Sequence, residues 1–394
     1  MPGFELFGAE ERREINEVLD SGILCRYGFE KARKNVWKSK DLEKELCLKF
    51  GTEFAQLTSS GTTALLTALM ALGIGAGHEV IIPTFGHVAC FEAVILAGAV
   101  PVPVDINDDL VLDSYHVQQA ITPATKAILL VHALGQMADP GPLLQLCREA
   151  RILVIEDISQ AIGASFSGRK AGSIGDAAIV SFDYTNTITC GEGGAVLTND
   201  PVTYKRCDEF TDHGHDHLAG SRSEDQHRYL GSNFRISELH AAVGLAQLRK
   251  LDELLFLQER NYRKLVEAVK PGAGTVEIIS GEPSCSWLTF SLPSETAARL
   301  AEKQLIEAGI PCAYWYDSRW HYVRKWEHLK NGSWMNRLYD DHKKQILHYS
   351  NQAFHRSDSI MSRCLSFAIS AGWTAEEAAA RGAAIGEALR AAIV

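Results

Sequence analysis

The sequence predicts an α/β protein with a large domain, whose mostly parallel sheet is flanked by helices, and a smaller α+β domain. From about residue 40 to residue 250, short apolar runs alternate with helical patterns, which is typical of parallel strands joined by right-handed crossovers. Beyond KPGAG at 270–274 the pattern changes to an α+β type. We therefore predict an N-terminal arm at 1–30, a large domain at 31–252 and a small C-terminal domain at 253–394.

Six apolar runs are candidate strands of the large domain, because each is short and lies between helical patterns or turn residues. They are HEVIIPTF (78–85), AVPVPVDI (99–106), TKAILLVHAL (125–134), ARILVIED (150–157), DAAIVSFD (176–183) and GGAVLTN (193–199).

Amphipathic stretches between and after these runs predict helices. TTALLTALMAL (62–72) and PGPLLQLCREA (140–150) lie inside the large domain. Residues 236–269 repeat apolar side chains at three- and four-residue spacing, which predicts one long helix that leads from the large domain into the rest of the chain. TAEEAAARGAAIGEALRAAIV (374–394) is expected to be a closing helix.

Composition and charge indicate a cytoplasmic enzyme. The 394 residues are 46% hydrophobic and 22% charged, as in ordinary globular proteins. A net charge of −10 argues against nucleic-acid binding, and no apolar run is long enough for a membrane span. The acidic start lacks the pattern of a signal peptide, and nine scattered cysteines without a CxxC pair favour a reducing compartment.

A polar segment at 212–235, DHGHDHLAGSRSEDQHRYLGSNFR, is predicted to be an exposed loop. His213, His215 and His217 alternate along it, so a metal site is one interpretation. However, no Cys or Glu stands at ligand spacing, and an extended loop turns alternate side chains to opposite faces. We favour a loop without metal that faces the substrate, with His215 as the candidate contact.

The stretch TSSGTTALLTALMAL (58–72) places small hydroxyl residues and a glycine directly before a helix. Free N–H groups and the helix dipole then point at one spot, which suits a phosphate. Ser60 or Thr62 could equally be an ordinary helix cap.

A second motif, VIEDISQAIGA, ends a buried strand with Glu156-Asp157 at the edge of the sheet where α/β proteins bind ligands. A buried carboxylate requires a cationic partner or good hydrogen bonds, and a protonated pyridine nitrogen would be one such partner. A helix cap by Asp157 is the alternative. Gln160 follows on the same side if a helical turn begins there, and Ser181 ends the next strand before the tight turn GEGG.

In this order the motifs resemble the DegT/DnrJ/EryC1/StrS sugar aminotransferases, which are pyridoxal-phosphate enzymes of aspartate-aminotransferase fold (PLP fold type I). The resemblance covers nearly the whole chain. Within the group, the sequence looks most similar to the 8-amino-3,8-dideoxy-manno-octulosonate aminotransferase branch. The segments that match the family are SSGTTAL, GIGAGHEVIIPTF, GAVPVPVDI, IEDISQAIGASFSGRKAGSIGDAAIVSF, GEGGAVLTND and NFRISELHAAVGLAQLRKLDE. The segments that match the branch are MPGFELFG, SFD…TITCGEGGAV, DHGHDH, NFRISE, YWY…WHY and SDSIMSRC.

The resemblance implies roles for individual residues. Gly61 and Thr62 would hold the cofactor phosphate, with a hydroxyl from Ser181. Asp157 would pair with the pyridine nitrogen and keep it protonated, while Gln160 would contact the ring hydroxyl.

The resemblance also implies a homodimer with shared active sites, in which Asn233 reaches the phosphate of the partner subunit. An aromatic and polar cluster in the small domain is either a sugar-facing surface or part of the core and surface of that domain. Its members are Tyr314, Tyr316, Trp320, His321 and Tyr322.

The pattern departs from the family at the residue that binds the cofactor covalently. Aligned through SF and GEGG, the family's lysine falls on Asn186, and no lysine occurs between Lys170 and Lys205. A carboxamide cannot form that bond and is not a base near neutral pH. His87 occupies the position of the family's stacking aromatic ring, and Gly86 replaces a hydroxyl residue. Several changes in one pocket favour natural divergence over a single laboratory substitution.

Three functions follow as hypotheses. The first is an enzyme that binds pyridoxal or pyridoxamine phosphate non-covalently and aminates a keto sugar, with glutamate as the expected amino donor. The second is a lysine-free dehydratase, or another carbanion reaction, with His87 as the base. The third is a non-catalytic paralogue that binds cofactor or sugar and assembles with an active subunit.

Overall fold

The computed structural model of the protein describes residues 3–137, 139–219, 223–270, 274, 276–279, 284–332 and 340–393. The helices are α1 (Ala9–Ser21), α2 (Lys38–Phe50), α3 (Gly61–Ala71), α4 (Ala89–Leu96), α5 (Ser114–Ala120), α6 (Gly141–Ala150), α7 (Pro201–Thr211), α8 (Glu238–Arg249), α9 (Leu251–Val269), α10 (Glu295–Glu307), α11 (Glu327–Asn331), α12 (Asp340–Ser350), α13 (His355–Met361) and α14 (Ala375–Ile393).

The strands, again in chain order, form three sheets. They are β1 (Phe54–Thr58), β2 (Glu79–Pro83), β3 (Val100–Val104), β4 (Thr125–Val131), β5 (Leu153–Asp157), β6 (Ser165–Phe166), β7 (Arg169–Lys170), β8 (Ala177–Ser181), β9 (Gly194–Thr198), β10 (Glu277–Ile278), β11 (Trp287–Ser291), β12 (Ala313–Tyr314) and β13 (Cys364–Ala368).

The main sheet has seven strands in the order β1-β9-β8-β5-β4-β2-β3. Its neighbours pair in parallel except at β9, which runs antiparallel to both β1 and β8. The carboxyl ends of β1 and β8 therefore meet the beginning of β9, where Thr58 and Ser181 both pair with Gly194. The predicted α/β class with a mostly parallel sheet is confirmed.

All six predicted strands are present, as β2, β3, β4, β5, β8 and β9. Their near-continuous apolar sequences are explained by helices on both faces. In β2, for example, Val80 and Ile82 pack into the core that contains α3 and α4, whereas Ile81 packs into the core beneath α5 and α6. The sequence analysis missed β1, the edge strand.

A second, four-stranded sheet in the order β10-β11-β13-β12 is antiparallel throughout. Its core contains Leu288 and Phe290 of β11, packed against Leu265 of α9 and Leu389 of α14. This is the α+β pattern predicted beyond residue 270, and the closing helix is α14. The proposed domain boundaries stay a prediction.

The prediction of one long helix over 236–269 is wrong. Two helices, α8 and α9, meet at Lys250. There the backbone N–H of Lys250 donates to the carbonyl of Gln247, which tightens the last turn of α8. Helix α8 packs against α1 and α2, whereas α9 packs against α14, so the two halves face different cores. In the part of the chain that the structure describes, no helix is both long and apolar enough to cross a membrane.

Candidate active site

A cavity of about 450 Å³ opens at the carboxyl edge of the parallel strands. This is the edge at which open α/β sheets bind ligands, and the volume lies in the range of small-molecule sites. The cavity is lined by six of the residues predicted in the large domain, namely Gly61, Thr62, Asp157, Gln160, Ser181 and Asn186. The structure also brings His87, Trp320 and His321 to its wall.

One end of the cavity is the start of α3. Ser60 caps this helix, because its hydroxyl accepts from Thr63 N–H at 3.1 Å while Ser60 N–H donates to the Thr63 hydroxyl at 2.9 Å. In the described chain, this box leaves the N–H groups of Gly61 and Thr62 free of protein partners. The cap and the anion site are therefore compatible, since the hydroxyl of Ser60 serves the helix while the next two N–H groups face the cavity.

Two glycines allow the strands and the helix to meet at this end. A Cβ on Gly61 would lie 2.5 Å from Ser181 Cβ and 2.7 Å from its hydroxyl oxygen. A Cβ on Gly194, at the start of β9, would lie 2.5 Å from the carbonyl oxygen of Ser60. Only a backbone without side chains allows this approach, and it places the Ser181 hydroxyl beside the free N–H groups as a third donor.

Asp157 lies in the cavity wall at the end of β5 and is 8% exposed. Its Oδ1 accepts from Ser159 N–H at 3.0 Å, and its Oδ2 accepts from the Cys90 thiol at 3.4 Å. Burial, with the nearby carboxylate, raises the pKa of Cys90 well above its usual value, so the thiol stays neutral. Among the residues described, no cationic side chain pairs with Asp157. A buried carboxylate in this state favours a positively charged ligand group.

Glu156, the neighbouring carboxylate, has a different role. It is fully buried and accepts from the N–H groups of Gly172, Ile174 and Gly175 at 2.8–2.9 Å. It also lies 3.1 Å from His132 Nε2. Because a carboxylate with these bonds can only accept, His132 Nε2 must carry the proton. Glu156 thus orders the loop after β7 and fixes the orientation of His132.

His132 is a cavity residue that the sequence analysis missed. It is 2% exposed, and in the described chain its Nδ1 has no hydrogen-bond partner. The Nδ1 atom is therefore an unsatisfied buried acceptor in a residue of the cavity wall. The rule that identified Asp157 would have found it, because His132 directly follows β4, just as Asp157 ends the neighbouring strand.

Asn186 faces the same cavity but is bound to its own loop. Its Nδ2 donates to the carbonyl oxygen of Ser181 at 2.9 Å, and its backbone N–H donates to the carbonyl of Asp183 at 3.0 Å. The side chain therefore folds back onto the end of β8. Among the described lining residues there is no lysine or arginine, whereas Asp183 and Glu192 add two carboxylates to that of Asp157.

The rim opposite α3 combines segments from distant parts of the chain. Gly86 N–H donates to His321 O at 2.9 Å, Val88 N–H donates to Trp320 O at 2.7 Å, and Val323 N–H donates to Thr84 O at 3.0 Å. These bonds hold residues 318–323 against 84–88 and bring three rings together.

Within this rim, His87 stacks on Trp320 with ring centroids 5.7 Å apart, and meets His321 edge-on at 5.3 Å. Trp320 is 64% exposed, and His87 is also exposed. His87 and Trp320 therefore form an accessible aromatic wall at the cavity mouth.

Five of the predicted residues lie outside the lining of this cavity. Tyr314 is buried and donates to the Ser362 carbonyl at 2.8 Å, and Tyr322 is buried and donates to Asp358 at 2.6 Å. The other three are Tyr316, Asn233 and His215. Tyr316 packs against Tyr322, and Asn233 is exposed and forms a backbone bridge with Asp212.

The histidines of the 212–235 loop are held separately. His215 is buried, pairs with Asp225 at 3.5 Å and packs on His227 at 4.2 Å between ring centroids. His217 lies between Asp208 and Asp212, with its Nδ1 and Nε2 at 2.7 and 3.0 Å from the two carboxylates. Within the described ranges, no group of side chains is arranged to bind a metal ion.

Neutral donors at α3 and Ser181 suit a phosphate, and the cation-free carboxylate of Asp157 suits a protonated ring nitrogen. The residues present thus fit a pyridoxal-type phosphate.

The fold is that of the pyridoxal-phosphate aminotransferases of fold type I. Residues 6–385 match the DegT/DnrJ/EryC1/StrS aminotransferase family. The chain belongs to this family, as the sequence motifs predicted.

Two relatives of the chain are GDP-perosamine synthases. The chain is 41% identical over 226 residues to the GDP-perosamine synthase of Caulobacter vibrioides, which is 56% of this chain and 58% of that protein. The match therefore spans less than two thirds of the Caulobacter protein. A GDP-perosamine synthase of Escherichia coli O157:H7 is 35% identical over 269 residues, 66% of this chain and 71% of that protein.

The fold is also shared with NtdA from Bacillus subtilis, solved with bound cofactor PMP. The two chains superpose with a TM-score of 0.77 at 25% identity, over 98% of this chain and 83% of that one.

Proposed function

We propose that the protein is an enzyme that binds pyridoxal or pyridoxamine phosphate (PLP or PMP) non-covalently and acts on a keto sugar. One observation carries this proposal: a single cavity joins a buried carboxylate without a cationic partner to a helix start with free N–H groups, and no lysine lines it among the residues described. The PMP-bound relative supports the same cofactor class for this site.

Different residues of the cavity would bind different parts of the cofactor. The N–H groups of Gly61 and Thr62 and the hydroxyl of Ser181 bind the phosphate, while Asp157 keeps the ring nitrogen protonated. When bound, the cofactor supplies the amino group and an electron-accepting ring. Its position would be limited on the rim side by His87, whose flat ring is held by Trp320.

Asn186 sets a limit on rate. A well-placed general base is worth roughly 10²–10⁴-fold, so its loss raises the barrier by about 3–5 kcal/mol. The carboxamide can orient a bound group but cannot transfer a proton at neutral pH. Slow, stoichiometric amination from preloaded PMP is therefore the expected activity, with glutamate as the amino donor for any further turnover.

The substrate would be a keto sugar that carries its carbonyl to the cavity mouth. The two GDP-perosamine synthases favour a nucleotide-linked keto sugar. The resemblance of the sequence motifs favours an octulosonate-type sugar. In either case the exposed ring of Trp320 offers a surface on which a sugar ring can pack.

We further infer that the protein acts as a homodimer with shared sites. Asn233 is exposed and lies outside the cavity of its own chain, as expected if it contributes to the site of the partner subunit. Several large apolar side chains of the N-terminal segment and the 212–235 loop are exposed in the single chain and are available for an interface. They are Phe4, Phe7, Phe29, Leu218, Tyr229 and Leu230.

A dehydratase that uses His87 as base is a second candidate. It is favoured by the exposure of His87 at the cavity mouth, where its ring can reach a bound sugar. The two reactions differ in their products, because amination replaces a carbonyl oxygen with an amino group whereas dehydration removes water.

A single-turnover assay tests the proposal. Purified protein is loaded with PMP and mixed with nucleotide-linked and octulosonate-type keto sugars, and products are weighed by mass spectrometry. An amino sugar formed in amounts up to the loaded PMP supports the first function, and a product lighter by one water supports the second. Cofactor binding without any product would indicate a non-catalytic paralogue. The absence of cofactor binding contradicts the first two functions and leaves, for the third, only a paralogue that binds sugar.

A further inference from the structure

The side chain of Gln160 has an orientation that the structure fixes. Leu134 N–H donates to Gln160 Oε1 at 2.9 Å, so the amide oxygen points at the backbone. The Nε2 group then faces His321, with 3.4 Å between Gln160 Nε2 and His321 Nε2. An amide nitrogen can only donate, and therefore His321 Nε2 must be an unprotonated acceptor.

The opposite nitrogen of His321 completes this chain of bonds. Its Nδ1 lies 3.4 Å from the Ser318 hydroxyl and must carry the proton of the neutral ring. Burial and the neighbouring His87 lower the pKa of His321 to about 3, which agrees with a neutral ring. Both contacts are long, as is common in ligand-free sites, and both have room to tighten when the cavity fills.

His321 itself is held in place by the rim. The backbone bonds between 318–323 and 84–88 fix its position from one side, and Trp315 packs edge-on against its ring at 4.8 Å between centroids from another. The imidazole is thus a rigid acceptor that enters the cavity from a segment 161 residues away from Gln160.

We propose that His321 is a positioning residue: it holds the Gln160 amide as a donor to the ring hydroxyl of the bound cofactor, and so couples segment 318–323 to the cofactor site. This inference rests on the proposed function. With its oxygen used by Leu134 and one N–H used by His321, Gln160 has a single N–H left for a ligand. That N–H stabilises an ionised ring hydroxyl, because it can donate and cannot accept.

Histidine-selective ¹⁵N NMR tests the relay in the cofactor-free protein. His321, assigned by comparison with a His321→Gln variant, is expected to be neutral at pH 6 with the proton on Nδ1. A protonated ring, or a proton on Nε2, would overturn the proposal. This readout does not need cofactor binding, since the state observed is that of the unmodified chain and the His321→Gln variant serves only to assign the signal.

PMP affinity tests the coupling. His321→Leu removes the acceptor and is expected to raise the Kd for PMP about 5- to 10-fold, in line with the loss of one hydrogen bond. His321→Gln, whose Oε1 replaces Nε2, should restore the Kd to within about twofold. Unchanged affinity in both variants would overturn the inference, as would an equal loss in both.

An Asp157→Asn variant separates this inference from the proposed function. If it loses affinity while His321→Leu does not, the cofactor site is real and the relay is wrong. If the unmodified protein takes up no PMP, the proposed function fails and the coupling fails with it, whereas the NMR experiment still reports the orientation of His321.

Discussion

At the scale of single residues, the carboxylate of Asp157 has the clearest consequence. Asp157→Asn keeps the shape of the side chain and removes its charge, so it should weaken PMP binding by about 10- to 100-fold, as expected for a charge-assisted hydrogen bond of roughly 1.5–3 kcal/mol. Isothermal titration calorimetry measures the change. Asp176→Asn is a matched control, because Asp176 is exposed and accepts from Val154 N–H at the opposite end of β5. Equal affinity for the Asp157 variant and the parent would contradict this role.

Asn186 gives a gain-of-function prediction at the same scale. Asn186→Lys should form a covalent bond with PLP, since the side chain at this position faces the cavity. Borohydride reduction followed by intact-mass and peptide analysis should then find one pyridoxyl group on residue 186, and none on the unmodified protein. A modified lysine elsewhere, or no modification at all, would mean that residue 186 does not face the reactive carbon of the cofactor.

Single residues also show the limit of sequence reasoning. Asp157 and Ser181 were identified because strand ends mark them in the sequence, whereas Asn186 was identified only because the resemblance aligns it with the family's lysine. His132 carries the same strand-end signal but has no partner motif nearby. Tyr27 and Asp208, whose side chains share a 2.7 Å hydrogen bond, are 181 residues apart in sequence, and no local pattern announces such a contact.

At the scale of elements, the start of α3 depends on its glycine. Gly61→Ala would force a methyl group to within 2.5 Å of Ser181 Cβ, so the helix start and β8 must separate. We expect a loss of about 1–3 kcal/mol in the free energy of unfolding, together with weaker PMP binding. Chemical denaturation and PMP titration measure the two effects.

Gly86→Ala provides the matched control for this element. Its added methyl group would meet Val131 at 3.5 Å, which is an ordinary contact. Gly86 nevertheless belongs to the rim of the same cavity. The free energy of unfolding and the affinity for PMP should both remain near those of the parent. If Gly61→Ala behaves like Gly86→Ala, the close approach of α3 to Ser181 is not needed.

The 212–235 loop is anchored by His217, and this anchor should depend on pH. Burial lowers the pKa of His217, but the hydrogen bonds to Asp208 and Asp212 outweigh burial and raise this pKa to about 9. Arg235 also pairs with Asp212, Tyr27 stacks on His217 at 4.2 Å between centroids, and Arg26 is close to Tyr27. Because the folded state holds the proton more tightly than the unfolded state, this stabilisation is complete below about pH 6.5 and disappears as pH rises through 9.

His217→Gln tests this anchor. At pH 6 the free energy of unfolding of the variant should be lower than that of the parent by at most about 3 kcal/mol, since each pKa unit corresponds to about 1.4 kcal/mol. This difference should shrink towards pH 9.5. Urea denaturation at several pH values measures it. His355→Gln, a change at an exposed histidine, should show no such trend. A difference that grows with pH would have the wrong sign.

Elements differ in how well their sequence predicts them. The six apolar strands were predictable because burial on both faces leaves little room for polar residues. The edge strand β1, with the sequence FAQLT, includes the polar Gln56, so it lacks that signal. The break between α8 and α9 was missed because apolar spacing continues through Lys250, and the change of packing partner that bends the chain is a tertiary effect.

At the scale of the whole molecule, a shared site predicts complementation. Asp157→Asn and Asn233→Ala should each weaken PMP binding as homodimers. If Asn233 acts across the interface, a heterodimer of the two variants contains one site with both changes and one site with neither. Differently tagged chains allow the heterodimer to be isolated, and one of its two sites should bind PMP with the affinity of the parent. If no such site appears, Asn233 acts within its own chain, and if the Asn233→Ala homodimer binds PMP like the parent, Asn233 has no role in the site.

Uptake of PMP by the cofactor-free protein bears on every proposal made for this molecule. Equilibrium dialysis against PMP should show saturable binding of one molecule per chain. The bound PMP should be released intact when the protein is denatured, because no covalent bond holds it. A protein that takes up no PMP, or binds it equally well after Asp157→Asn, would contradict a cofactor site between α3 and Asp157.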